Sequence, residues 1–260
     1  MRESKDRVWI RPEGESIGPT VEATRQIPLS VFDGDSPVST EFQRLHARLS
    51  KLNAGRKTSS LLVTSARRGE GKTTTSAFLA YTAALHSDRR VVVVDCDLRK
   101  PRLHELFGIG QRLGLVDALA NLLPLKSVIK DTELDNLKVI TSGRSIGVPS
   151  ALFESYVFRE MLGELRANFD LVILDSAPIL PVSDAFLISE HCDGILLVVM
   201  AGKTPVEVLA RARDLLGENG SKILGAVINN AEEVLPYYYD YDYYGYKGEK
   251  GAAKGAKNQS

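Results

Sequence analysis

Residues 64–74 read Thr-Ser-Ala-Arg-Arg-Gly-Glu-Gly-Lys-Thr-Thr. An apolar run precedes this segment and a helical pattern follows it, the setting a phosphate-binding loop requires. Gly69 and Gly71 let consecutive backbone N–H groups curve around phosphate oxygens, and a helix opening near Lys72 turns its positive end to the same point. Lys72 is placed to reach the β- and γ-phosphates, and the Thr73 hydroxyl to ligate Mg²⁺. With Glu70 and Thr74, these residues form the expected ATP-binding set. Ala66 stands where the usual motif has its first glycine.

Three carboxylates recur at the ends of other apolar runs. Val91 to Val94 lead to Asp95 and Asp97, and Leu171 to Leu174 lead to Asp175. An aspartate at a strand end in such a frame builds the Mg²⁺ shell, and Asp175 is the expected Walker B carboxylate. Of Asp95 and Asp97, one could orient the ion or its waters while the other accepts a proton from an incoming hydroxyl. A lone strand-end Asp is commonly a turn residue, but three of them in one frame point to chemistry. Lys72, Asp95, Asp97 and Asp175 are therefore the expected catalytic set, with Thr73, Asp95 and Asp175 as metal ligands.

The elements that must carry these residues alternate. Runs near residues 61–63, 91–94, 137–140, 171–174, 195–199 and 223–228 are apolar throughout, which marks strands buried on both faces. Helical patterns over about 73–87, 150–168 and 205–216 lie between them. The expected fold is α/β, a P-loop NTPase with a mostly parallel sheet and helices on both faces. In such a sheet ligands bind at the carboxyl ends of the strands, where the residues above cluster. Residues 1–38 read as a mobile leader, 39–232 as the P-loop domain and 233–260 as a disordered tyrosine-rich tail. Thr40 to Gln43 fits a capping box, after which Phe42, Leu45, Leu49 and Leu52 share one helical face.

The 33 basic and 33 acidic residues cancel, leaving no global electrostatic case for a nucleic-acid partner. Cys96 and Cys192 form no disulfide framework and read as reduced thiols. No run approaches the roughly 18 apolar residues of a membrane span, and the N-terminus lacks the apolar core of a signal peptide, so the expected location is the cytoplasm.

Seven of the nine tyrosines fall within ten residues: Tyr237, Tyr238, Tyr239, Tyr241, Tyr243, Tyr244 and Tyr246. Buried aromatics come with aliphatic partners at a regular period, and here there are none. Beside an ATP site, the cluster reads as a phosphoryl acceptor.

Together, residues 66–73, Val-Val-Val-Val-Asp-Cys-Asp-Leu-Arg-Lys-Pro and Phe-Asp-Leu-Val-Ile-Leu-Asp-Ser-Ala-Pro resemble the Walker A, A′ and B set of the bacterial tyrosine kinases. These are deviant Walker ATPases related to MinD and ParA. The resemblance runs from about Glu41 to Tyr246. It implies autophosphorylation of the tyrosine cluster with ATP and Mg²⁺, in the regulation of capsule or exopolysaccharide synthesis or export. It implies Asn229 as the adenine-recognising residue. It also implies a homo-oligomer, a transmembrane activator of the polysaccharide co-polymerase type that recruits the chain to the inner face of the membrane, and a cognate tyrosine phosphatase. Two segments depart from the family pattern: Asp-Ser-Ala-Pro replaces Asp-Thr-Pro-Pro, and Ala47 takes the third place of the oligomer motif that Glu41 and Arg44 begin. The alternative function is a MinD- or ParA-like switch that changes partners without phosphorylating protein. That reading leaves the tyrosines unexplained, and such switches carry a lysine where Arg67 and Arg68 stand.

Overall fold

The computed structural model describes residues 36–52, 59–144, 150–218 and 220–231. The leader up to residue 35 and the tyrosine segment lie outside them. Within them a seven-stranded sheet forms from β1 (Ser60–Ser65), β2 (Val91–Cys96), β3 (Lys130–Asp131), β4 (Leu137–Ile140), β5 (Leu171–Ser176), β6 (Gly194–Met200) and β7 (Ile223–Asn229). Their order across the sheet is β3-β4-β2-β5-β1-β6-β7, and every pairing is parallel except β3 with β4. The mostly parallel P-loop sheet expected from the apolar runs is the one observed.

The runs are apolar throughout because alternate side chains serve two cores. Leu61, Val63, Val91 and Val93 face a layer made by α1 (Pro37–Leu52), α2 (Lys72–Leu85) and α3 (Leu103–Leu106). Leu62, Val92 and Val94 face the opposite layer, with α4 (Leu115–Asn121), α5 (Ser150–Phe153), α6 (Tyr156–Asn168), α7 (Asp184–Ser189) and α8 (Val206–Gly217). The period of two along each strand thus divides one run of valines between two helical layers. From β1 the chain passes through α2 to β2, while β5 sends α7 over the other face to β6 on the far side of β1. That reversal opens a crevice above the strand ends.

Three sequence expectations need correction. Helix α1 starts at Pro37, not at the capping box of Thr40, because Ser36 Oγ accepts from Ser39 N at 3.1 Å and Pro37 takes the first helical position. The helix expected over 150–168 is two, since extended Ser155 caps α6 by accepting from Phe158 N at 3.2 Å and donates back to Leu152 O at 2.6 Å. Strand β7 is not buried on both faces but forms the edge of the sheet, with Ile228 60% exposed.

The apolar face of α1 is used inside the domain. Phe42 meets Phe78 edge to face at 5.3 Å, and Leu45 and Leu49 pack on the same core, while Leu52 is exposed. Arg44, Ala47 and Arg48 face outward. No helix among the described residues is long and apolar enough to cross a membrane.

Candidate active site

The crevice is built by three adjacent strands, β2, β5 and β1, whose carboxyl ends deliver Asp95, Asp175 and the phosphate loop. Gly69 and Gly71 take φ of +77° and +91°, a region that a side chain rarely adopts, which is why glycines stand there. A Cβ on Gly71 would also overlap the Asn229 amide. Ala66 is fully buried and is not among the positive-φ residues, so the loop needs no glycine at that place.

Glu70 is 3% exposed, and its carboxylate turns away from the cradle. Its Oε2 accepts from Arg67 N at 2.8 Å and its Oε1 from the Thr204 hydroxyl. The side chain therefore braces the loop against the turn after β6. Ser65 Oγ donates to Arg67 O at 2.6 Å from the other flank. The Asp-Ser-Ala-Pro segment is tied to β1 as well: Ser176 Oγ donates to Val63 O at 3.1 Å, and Thr64 Oγ1 to Ala177 O at 3.0 Å. A serine hydroxyl is sufficient for that tie.

Asp95 and Asp175 are directly paired in the register of β2 and β5, and both are wholly buried. Asp95 Oδ2 accepts from Leu103 N at 3.1 Å, and Asp175 Oδ1 from Ser76 Oγ at 3.1 Å. Asp95 Oδ1 and Asp175 Oδ2 are buried with no hydrogen-bond partner. Burial, reinforced by the Asp175 charge, pushes the Asp95 carboxyl well above its usual range. Burial likewise lifts Asp175 to about 6, against the pull of the Lys72 ammonium and the Thr73 hydroxyl. Asp97 is 7% exposed and accepts from Lys100 N at 3.1 Å, so of the three aspartates it alone keeps contact with solvent.

Two buried carboxylate oxygens without a hydrogen-bond partner, on residues paired in strand register and beside a threonine hydroxyl, suit a hard cation. No cluster of three or more His, Cys, Asp or Glu among the described residues forms a cage. Mg²⁺ is a hard cation of this kind: it takes one or two carboxylates and completes its shell with water and substrate phosphate.

Lys72 is buried at the opening of α2, Thr73 is half-buried beside it, and Thr74 is exposed. Asn229 arrives from the end of β7, where its Nδ2 donates to Glu70 O at 3.1 Å and its Oδ1 accepts from Asn230 N at 2.9 Å. The structure thus gathers Gly69, Glu70, Gly71, Lys72, Thr73, Asp95, Asp97, Asp175 and Asn229 around one crevice. The seven tyrosines lie outside the described residues.

Sequence reasoning missed Thr204, Ser76 and Asp184. Fully buried Asp184, on α7, takes a bidentate pair of hydrogen bonds from Arg99, 2.8 Å from Nε and 3.1 Å from a terminal nitrogen. That fork anchors the turn that follows Asp97. Arg99 could have been singled out as part of Leu-Arg-Lys-Pro, but nothing in the sequence names its partner. Both cysteines are free; burial pushes the Cys96 thiol up, and that of Cys192 to about 12, so they stay protonated and inert.

The strand order, the phosphate loop and the paired aspartates define a P-loop nucleotide-binding protein. A family described as an AAA domain matches residues 60–204. The tyrosine-protein kinase YwqD of Bacillus subtilis is 34% identical over 209 residues, 80% of this chain and 87% of that protein. The kinase domain of the Escherichia coli tyrosine kinase ETK superposes with a TM-score of 0.72 at 30% identity, over 78% of this chain and 80% of that one. The septum site-determining protein MinD of Pyrococcus horikoshii, solved with Mg-ADP, shares the fold at 23% identity and a TM-score of 0.56, over 65% of this chain and 69% of its own. The chain belongs to the bacterial tyrosine-protein kinase family.

Proposed function

We propose that the protein is an ATP-dependent autokinase that phosphorylates its own tyrosines between Tyr237 and Tyr246. The observation that supports this most is the meeting of Lys72, Asp95, Asp97 and Asp175 at three adjacent strand ends, in a chain whose sequence carries seven tyrosines between Tyr237 and Tyr246. A tyrosine hydroxyl, with an ordinary pKa of about 10, keeps its proton at neutral pH and is a weak nucleophile. Asp97, the accessible carboxylate, accepts that proton as the phenolic oxygen attacks the γ-phosphorus. The bond from phosphorus to the β–γ bridging oxygen breaks, and ADP leaves. Lys72 and the loop N–H groups hold the β- and γ-phosphate oxygens in line. Thr73, Asp95 and Asp175 would hold Mg²⁺, which would supply positive charge against the transferred group. Asn229 reads the adenine once its amide leaves Glu70.

By its family the protein acts in the cytoplasm, at the inner face of the membrane, in the control of capsule or exopolysaccharide synthesis. Its partners there are a transmembrane activator of the polysaccharide co-polymerase type and a tyrosine phosphatase. Copies of the chain assemble through the outward face of α1, since its apolar face is already occupied. The test is incubation with Mg-ATP, with and without the cytoplasmic segment of a membrane activator, read by intact mass and tail peptides. Stepwise phosphate on Tyr237 to Tyr246, absent in Lys72→Met, is expected. ATP bound without any phosphotyrosine under either condition would leave the partner-switching ATPase as the better reading.

A further inference from the structure

Beside the catalytic crevice lies a second concavity of about 650 Å³, between the outer side of the phosphate loop and the turn from β6 to α8. Leu180, Met200 and Val208 line its apolar floor, and Arg67, Arg68 and Lys203 stand on its rim. Gly69 and Glu70 of the phosphate loop line it too, whereas Lys72, Asp95, Asp97 and Asp175 do not. The three rim residues are exposed, and among the described residues their side chains have no hydrogen-bonding or ionic partner. Three unpaired cations over an apolar floor suit a ligand with a flat apolar body and concentrated negative charge.

The chain leaves the sheet beside this cleft. Asn229 ends β7 in register with Met200, its carbonyl accepts from Ala201 N at 2.9 Å, and its side chain binds Glu70 O. Met200 and Glu70 are both walls of the cleft. Tyr237 follows Asn229 closely enough that an extended chain reaches roughly 25 Å, so the tyrosine segment of the same molecule can lie across it. Each phosphotyrosine carries about −1.5 to −2 charges, and Asp240 and Asp242 stand among the tyrosines.

We propose that this cleft binds the phosphotyrosyl form of the chain's own Tyr237–Tyr246 segment, with the phosphate on Arg67, Arg68 and Lys203 and the ring on the floor. The proposal rests on the autokinase reading for the origin of the phosphate. Its role is to retain the product: a modified tyrosine, repelled by the aspartates of the crevice, is drawn to cations on the other side of the same loop.

The test uses the full chain with all seven tail tyrosines changed to Phe, so that its own tail carries no phosphate. The probes are fluorescent peptides of residues 236–246, synthesised with and without one phosphotyrosine, and read by anisotropy without nucleotide and in saturating Mg-ADP. The phosphopeptide is expected to bind at least about tenfold tighter than its unmodified twin, and Arg68→Glu with Lys203→Glu to remove that advantage. The thermal melting curve of the variant reports its fold. Independently of any variant, the phosphopeptide is expected to slow acetylation of Lys203, read by mass spectrometry. Equal affinity for the two peptides, displacement by Mg-ADP, or unchanged Lys203 labelling would each overturn the proposal. Because the phosphate is installed by synthesis, this outcome is independent of whether the chain phosphorylates itself.

Discussion

At the scale of single residues, the paired aspartates set a conflict between stability and function. Asp175 rises from an ordinary 3.8 to about 6 on folding. Between those values the folded chain holds a proton that the unfolded chain has released, so stability of the nucleotide-free protein falls as pH rises through this window. Asp95 is shifted the same way and steepens the fall. Above it the penalty from Asp175 is on the order of 3 kcal/mol. Asp175→Asn should therefore melt higher than the parent at pH 8 and flatten the pH slope in calorimetry, while losing phosphoryl transfer. A variant that melts lower throughout would contradict this account. Glu70 makes a different prediction. Glu70→Ala leaves the Arg67 N–H and the Thr204 hydroxyl without their acceptor, costing about 1–3 kcal/mol, and should weaken Mg-ADP binding measurably. Glu70→Gln, which can still accept from Arg67 N, should stay close to the parent in both denaturation and nucleotide titration.

At the scale of elements, the strands that carry the site were legible because two-sided burial writes continuous apolar runs, as in Val91 to Val94. The aspartates were legible because they end those runs. The helices α3, α4 and α7 were not, since four to seven residues hold too little of the 3.6 period to register. Strand β3 is two residues long and exists only through its pairing with β4. Ser36 and Thr40 both satisfy the capping rule, and Pro37 was the residue that could have decided between them. The contacts of Glu70 with Thr204 and of Arg99 with Asp184 join positions far apart in the chain, and no local pattern encodes them. The latter can be weighed directly. Arg99→Ala strands a fully buried carboxylate on α7 and should cost roughly 3 kcal/mol in chemical denaturation. Adding Asp184→Ala should recover much of that loss. If the double variant is no better than the single one, the pair is not the anchor described here.

At the scale of the whole molecule, the two faces of α1 differ. Phe42, Leu45 and Leu49 hold it to α2, while Arg44 and Arg48 point outward. Charge reversal at Arg44 and Arg48 should leave the melting temperature nearly unchanged, as exposed ion pairs are worth about 0–1 kcal/mol. It should also reduce the proposed assembly to monomers in light scattering; an unaltered assembly would move the contact elsewhere.

The sheet order carries one more consequence, which concerns synthesis. Strands β2, β5 and β1 stand side by side, yet they are drawn from residues 91–96, 171–176 and 60–65, and Asn229 joins the loop last. No early fragment contains the crevice, so a growing chain cannot hold ATP in it until nearly every strand has been made. At about 5–20 residues per second, Tyr237 is added within about two seconds of Asn229. On the autokinase reading, the order of translation therefore completes the crevice and its acceptor almost together.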